Sequence, residues 1–529
     1  MTHHSCTATD YSLENSADAG PAVRDALIHL RYESPLDAPL SMSYQLLSET
    51  PPTGNRSPST LIHLLDDDSL LTTFSLCRPN KNQHKSEDIF QTKQERLWKS
   101  PWWWYRLAQV CRRWRYLVLE SPSYLHLTLH CAPGTPVADM LAHSPPLPIV
   151  VDHTDRWYNT ITAEDEEGII LALQHRDRVL RIHLSNSVSI LQRLILALDG
   201  EFPILEYLSI GPWTRWPVTE HANLNFPETF RAPHVHKLVL ENFATPIQSP
   251  LNTTMGNLVT LYLTKVPFSA NFHPNNLLQQ LSFMHQLEKL SIGFKLCHGM
   301  ERQLLHTPIR TRVTLPNLRL LRFKGSSAYL EALLPWVTTL LLEKLSIDFF
   351  TRMIYSIPHL QQLISTAGNL RLNTVVFGFI GRLLVEAYHT GPISYTWNMW
   401  LSGKHVDWQI VSAAQVSHAL TTVFAEVENL IFDYDTNTSE LSNNEADRAR
   451  WRDFFRSFGN VKTLKISQDN VLLGQLSRAL QPDEGESTME LLPELQKLSF
   501  YAGDTFPNAF TLFADARRKA GHPVTIIAS

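Results

Sequence analysis

Apolar residues return in one fixed pattern, apolar-x-x-apolar-x-apolar, from residue 179 almost to the end of the chain. In an extended strand the second and third apolar positions point to the same face, because side chains alternate with a period of two. Most copies follow the previous one after 23 to 34 residues. The eleven copies are VLRIHL from Val179, LEYLSI from Leu205, VHKLVL from Val235, LVTLYL from Leu258, LEKLSI from Leu287, LRLLRF from Leu318, LEKLSI from Leu342, LNTVVF from Leu372, VENLIF from Val427, VKTLKI from Val461 and LQKLSF from Leu495.

Helical patterns separate these copies. Segments such as NNLLQQLSFM and IPHLQQLIST carry leucines at helical spacing behind a Pro or Asn start. A single strand and helix cannot bury their apolar faces alone, so neighbouring copies must stack. The pattern predicts an α/β fold over residues 177–529, a solenoid of strand-plus-helix units that resembles leucine-rich repeats without their regular Asn after the strand. The longest step, from Leu372 to Val427, has room for a degenerate copy.

The first 176 residues lack this repeat and divide by composition. Residues 1–58 are rich in Ser, Thr, Pro, Asp and Asn and predict a disordered leader. Residues 59–135 predict a helical module with a charged insertion at about 80–100. Its first helix lies in LIHLLDDDSLLTTFSLCRP, where an Asp suits a helix start. Residues 136–176 are expected to connect this module to the repeats.

A second helix is predicted from about Tyr105 to Leu119. Its apolar positions form one continuous stripe, made of Leu107, Val110, Cys111, Trp114, Leu117 and Val118. The preceding Trp102, Trp103 and Trp104 would be about 100° apart on a helix, so they cannot form a stacking platform for bases. The helix is therefore expected to be buried against protein, not against nucleic acid or a membrane surface.

These two helical segments carry a family resemblance. LAQVCRRWRYLVLESPSYL resembles the second half of an F-box, Leu-x-x-Val-Cys-[Arg/Lys]-x-Trp followed by a Ser-Pro turn. LDDDSLLTTF, from Leu65, is similar to the opening half, Leu-Pro-x-Glu-apolar-Leu-Leu-x-x-Phe, but differs at Asp66, Ser69 and Thr73. A split F-box followed by degenerate leucine-rich repeats resembles a large class of F-box proteins from mushroom-forming fungi.

The resemblance implies a substrate adaptor of a Skp-cullin-F-box ubiquitin ligase. The helical module would dock on a Skp-type linker subunit and, through it, a cullin, while the repeats would hold the protein to be ubiquitinated. Carried over by position, the residues that bind the Skp-type subunit are Leu65, Leu70, Leu71, Phe74, Val110, Cys111 and Trp114. The alternative is a leucine-rich-repeat scaffold that binds a partner without any ligase.

Composition agrees with an intracellular protein that binds other proteins. A net charge of −5 argues against a protein that neutralises nucleic-acid phosphates. No apolar run is long enough for a membrane span, and the first residues lack a secretory signal pattern. Five scattered cysteines without a C-x-x-C pair fit a reducing compartment, so the cytoplasm or nucleus is expected.

The common catalytic and cofactor motifs are absent, among them G-x-S-x-G, G-x-G-x-x-G, the phosphate loop and H-E-x-x-H. In HLTLHC, His126 and His130 would lie about 13 Å apart in an extended strand, too far to share one metal ion. No catalytic, cofactor-binding or metal-binding residue is predicted, and the chain is expected not to be an enzyme.

Strand positions that alternate with the buried ones are expected to line an open face of the sheet. This face carries more basic than acidic residues although the whole chain is acidic. Three adjacent repeats would bring together Lys289, Arg322, Lys324 and Lys344, because neighbouring strands are about 4.8 Å apart. The hypothesis is that this patch binds an acidic or phosphorylated segment of the substrate, and the alternative is ordinary mixed-charge solubility.

Overall fold

The computed structural model describes residues 65–78, 103–154, 162–212, 224, 226–242, 255–267, 272–295, 308–350, 356–379, 381–389, 395–402, 406–434, 445–467, 470–482, 489–500 and 510–528. The chain divides into two units, residues 1–65 and 66–529, and all the elements described belong to the second. The predicted leader at 1–58 and the charged insertion at about 80–100 lie outside the described residues.

Four of the described helices precede the first described strand, and helices and strands are interspersed after it. The helices are α1 (Asp67–Leu76), α2 (Trp103–Val110), α3 (Arg112–Glu120), α4 (Pro122–Leu125), α5 (Val137–His143), α6 (Ala163–Gln174), α7 (Val188–Leu196), α8 (Pro274–Leu281), α9 (Ser327–Leu333), α10 (Pro358–Thr366), α11 (Val406–Ala419), α12 (Thr421–Phe424), α13 (Glu445–Phe455), α14 (Asn470–Leu480) and α15 (Thr511–Lys519). None of these helices is long and apolar enough to cross a membrane.

The described strands are β1 (Leu129–Cys131), β2 (Ile149–Thr154), β3 (Val179–Asn186), β4 (Tyr207–Pro212), β5 (Lys237–Glu241), β6 (Thr260–Val266), β7 (Lys289–Phe294), β8 (Val313–Leu315), β9 (Leu320–Gly325), β10 (Val337–Thr339), β11 (Lys344–Phe349), β12 (Thr374–Phe379), β13 (Leu383–Tyr388), β14 (Trp397–Leu401), β15 (Asn429–Tyr434), β16 (Thr463–Ile466), β17 (Lys497–Phe500) and β18 (Thr525–Ala528). Sixteen of them form one mostly parallel sheet in the order β1-β2-β3-β4-β5-β6-β7-β9-β11-β14-β13-β12-β15-β16-β17-β18. The other two, β8 and β10, pair with each other.

The repeat pattern predicted these strands correctly. Each of the eleven copies forms a strand of the large sheet, and the three apolar positions of every copy are at most 6% exposed. They join the buried faces of the helices in one core, as expected when a strand and a helix cannot bury themselves alone. The mixed α/β fold is thus confirmed. The sheet also begins before the repeats, because β1 pairs with β2 and β2 pairs with β3.

The long step from Leu372 to Val427 holds two strands instead of a degenerate copy. β12 turns back into antiparallel β13, and β13 into β14, which runs parallel to β11. β13 and β14 therefore fill the gap between β11 and β12. Gly381, at φ 62°, lies in the turn from β12 to β13, where the left-handed conformation favours glycine. The sheet is consequently not parallel throughout.

Candidate functional site

Helix α1 starts at the residues where the chain departs from the F-box pattern. Asp66 precedes the helix in extended conformation, and the Ser69 backbone N–H donates to its Oδ1 at 2.6 Å. This hydrogen bond and a further one from the Ser69 side chain lower the pKa of Asp66. Asp66 and Ser69 therefore form an N-cap, which compensates for the missing proline at the helix start.

Helices α1 and α3 of the predicted F-box pack against each other through apolar side chains. Leu70 and Phe74 are both 0% exposed. The Phe74 ring meets Trp114 edge to face, with centroids 4.7 Å apart. At the surface, Arg113 donates to Asp67 Oδ1 from Nη2 at 2.7 Å and from Nε at 3.0 Å. These contacts hold α1 against α3.

Several of the predicted Skp-binding residues are buried and therefore not directly accessible to a partner. Leu70 and Phe74 lie inside the core of the chain itself, and Trp114 is partly buried against that core. A partner would reach Leu70 or Phe74 only if α1 moved away from α3. Leu65 remains 39% exposed, and Leu71 is partly buried against the core. Contact of these residues with a Skp-type subunit stays a prediction.

The continuous helix predicted from Tyr105 to Leu119 is wrong. Helix α2 ends at Val110, Cys111 is extended at φ −159° and ψ 172°, and α3 begins at Arg112. Cys111 Sγ accepts a hydrogen bond from the Trp114 backbone N–H at 3.5 Å, which makes Cys111 the N-cap of α3. The break turns Val110 out of the predicted apolar stripe and leaves it 60% exposed.

The capping role of Cys111 can be separated from its apolar character. Cys111→Val keeps an apolar side chain but removes the acceptor, so we expect it to lower the free energy of unfolding by about 0.5–1 kcal/mol. Cys111→Ser supplies a stronger acceptor and should at least preserve stability. Thermal unfolding of the three proteins measures the difference, and a valine variant more stable than the serine variant would contradict the capping role.

Large apolar side chains remain exposed on each of the four helices that the structure describes in the module. Helix α1 exposes Leu76 at 80%, α2 exposes Val110, α3 exposes Tyr116 at 65% and α4 exposes Tyr124 at 53%. Exposed apolar side chains concentrated on a small element are typical of protein-binding surfaces. Sequence analysis missed Leu76, Tyr116 and Tyr124, because exposure here depends on the helix break and on how the helices cross.

The four residues of the predicted basic patch lie on neighbouring strands as expected, but one of them, Lys324, has its charge neutralised by an ion pair. β7, β9 and β11 are neighbours, and Lys289, Arg322, Lys324 and Lys344 are all exposed on them. Lys324 Nζ donates to Asp348 Oδ2 at 2.7 Å, so Lys324 is committed to an ion pair within the chain. No ion pair is found for Lys289, Arg322 or Lys344 within the described ranges.

Other cations of the open face have partners of their own. Lys265 pairs with Glu241 at 2.6 Å, and Arg181 lies 4.0 Å from Glu206. Lys237 Nζ lies over the Tyr207 ring, 4.9 Å from its centroid. The basic excess of this face therefore does not form a continuous stripe.

Cys131 is buried among the described residues. Burial raises the pKa of the Cys131 thiol to about 12, so it stays protonated at neutral pH and is a poor nucleophile. Within the described part of the chain, no group of three His, Cys, Asp or Glu side chains is arranged to hold a metal ion.

Comparison with known proteins adds little to these observations. No model of a protein family matches the chain, and no curated protein matches it. A crystal structure of the Rad7 and Elc1 complex in yeast aligns with 11% identity and a TM-score of 0.25, covering 88% of this chain and 93% of that one. A TM-score this low does not establish a shared fold.

Proposed function

We propose that the chain is a substrate adaptor of a Skp-cullin-F-box ubiquitin ligase. The observation that carries the proposal is a module with F-box-like sequence in which each of the four described short helices exposes a large apolar side chain. A Skp-type linker subunit that covers these side chains would bury apolar area and stabilise the module by mass action. The sheet would then present its open face to the protein to be ubiquitinated.

Val110 and Tyr116 are the residues that test the docking surface most sharply. Both are exposed, on either side of the helix break, so their replacement does not disturb the core. A buried unpaired carboxylate in an apolar interface costs several kcal/mol, so Val110→Asp/Tyr116→Asp should weaken binding at least about thirtyfold. Titration of the full chain with a recombinant fungal Skp-type subunit, by calorimetry, measures this change.

The matched control is Leu512→Asp on helix α15, where the leucine is 67% exposed and far along the chain from the module. It should bind the Skp-type subunit like the wild type. If the folded wild-type chain does not bind, or if all variants bind equally, the adaptor proposal fails and a repeat scaffold without a ligase remains. A pull-down with the cullin, with and without the Skp-type subunit, then tests assembly of the ligase.

A further inference from the structure

Three cations on β7, β9 and β11 surround one spot on the open face. Lys289, Leu320 and Lys344 are in register across these strands, so the two lysine backbones lie about 10 Å apart with the leucine between them. Arg322 follows Leu320 by two residues on the middle strand, about 7 Å along it and on the same face. Lysine and arginine side chains are long enough to meet over the centre of this triangle.

Among the described residues, no carboxylate forms an ion pair with the three cations of this triangle. Asp348, on the same face as Lys344 of the same strand, accepts from Lys324 and lies 3.7 Å from Arg382. Next to Lys289 on β6 stands Thr260, and next to Ser346 on β14 stands Asn398, so both flanks are neutral. Three like charges close together repel one another, and a bound anion relieves that repulsion.

Small side chains stand on both sides of Arg322. Ser291 and Ser346 flank Arg322 in register, one on each neighbouring strand. Both are partly exposed, and their hydroxyl groups can donate hydrogen bonds. The site thus combines a guanidinium fork, two ammonium groups and two hydroxyls on three neighbouring strands, with backbones within about 10 Å of one another.

We propose that Lys289, Arg322 and Lys344 bind the phosphate of a phosphorylated serine or threonine in a segment of the partner protein. The identification of that partner as the protein to be ubiquitinated rests on the function proposed above. A phosphomonoester carries a charge of about −1.5 to −2 on one group with several acceptor oxygens. Arginine binds two of these oxygens in parallel, and each lysine contributes a point charge.

The geometry favours this ligand over two other anions. The carboxylates of an acidic segment carry one charge each on separate side chains, whereas these three cations start from backbone positions within about 10 Å of one another. A nucleic acid needs cations spaced along its backbone, but the neighbouring basic residues are already engaged, Lys265 by Glu241 and Lys237 by the Tyr207 ring.

The test uses the purified full chain alone and three degenerate peptide libraries that differ at one central position. That position is phosphoserine in the first library, serine in the second and glutamate in the third. We expect the immobilised chain to retain the phosphoserine library at least about fivefold more than the other two, because the dianion gains more charge-assisted hydrogen bonds. Free phosphoserine should displace the retained peptides.

Two double variants with the same change of charge locate the site. Lys289→Ala/Lys344→Ala removes two cations of the triangle and should bring the ratio of phosphoserine to serine retention close to one. Lys465→Ala/Lys497→Ala removes two lysines from β16 and β17 that are equally exposed on the open face, and it should leave the ratio unchanged. Arg322→Lys keeps the charge but loses the fork, so an intermediate ratio is expected.

Several outcomes would overturn the site. Equal retention of the phosphoserine and glutamate libraries would show an acidic-segment surface, and displacement by a single-stranded oligonucleotide but not by phosphoserine would show a nucleic-acid surface. An equal loss in both double variants would show diffuse electrostatics, and circular dichroism of each variant confirms that it is folded. The assay contains no Skp-type subunit, so its result and the result of the docking experiment are independent of each other.

Discussion

Replacing Phe74 with alanine is expected to lower the local stability of the helical module by about 3–5 kcal/mol. The ring is fully buried and lies edge to face against Trp114, so its removal leaves a cavity between α1 and α3. Hydrogen exchange of the backbone amides in both helices measures the loss. Leu76→Ala, two residues further along α1 at an 80% exposed position, should change exchange by about 0.5 kcal/mol or less.

A second variant, Phe74→Leu, separates the role of Phe74 in the core from the Skp binding that the F-box resemblance implies. If the side chain acts through the core, Phe74→Leu should restore both protection of the amides and binding of a Skp-type subunit, because leucine refills much of the cavity. If the side chain binds the partner directly, Phe74→Leu should restore protection but not binding. Equal exchange in Phe74→Ala and Leu76→Ala would contradict the burial itself.

Replacing Trp451 with alanine should cost about 3–5 kcal/mol in the C-terminal half of the sheet. The indole on α13 is fully buried, and its ring centroid lies 5.5 Å from Phe454 and 5.6 Å from Phe432 on β15. Its Nε1 also donates to Gln475 Oε1 on α14 at 3.1 Å, a hydrogen bond that alanine cannot replace. One side chain thus connects two helices and a strand.

Urea unfolding, followed by circular dichroism and by limited proteolysis, measures this loss. Trp408→Ala on α11 is the matched control, because that indole is 42% exposed, and it should cost about 1 kcal/mol or less. Similar midpoints for the two variants would contradict a central role for Trp451. Because each repeat contacts mainly its neighbours, proteolysis of Trp451→Ala should begin near β15 to β17 and spare the module.

Local signals were sufficient for the start of α1 and for the strands of the repeat. Asp66 caps α1 where an acidic residue was expected. The eleven strands follow from apolar positions two residues apart, because two such side chains point to the same side of the chain when it is an extended strand. The neighbours β7, β9 and β11 were also predicted correctly, since consecutive repeats usually lie side by side.

Other features depend on specific hydrogen bonds and strand pairings, and periodic patterns missed them. The stripe from Leu107 to Val118 fits one helix, yet Cys111 breaks it, and Arg115 Nε donates across the break to the Ala108 carbonyl at 3.0 Å. The segment of β13 and β14 has no repeat pattern, and its place between β11 and β12 comes from pairing on both sides. Helical periodicity and strand alternation do not indicate where a helix breaks or which strands pair.

The amino-acid pattern alone is enough for the class of fold, the position of the repeat strands and the acidic balance of the chain, because each depends on composition or on spacing within a few residues. The contacts between distant segments settle which residues remain available for function. Phe74 is buried and its ring packs against Trp114. Val110 is exposed because the helix breaks at Cys111, and the charge of Lys324 is neutralised by Asp348 on the next strand. Burial and ion pairing depend on residues that only the folded chain brings together. They therefore determine which side chains remain exposed and uncharged or unpaired on the candidate surfaces.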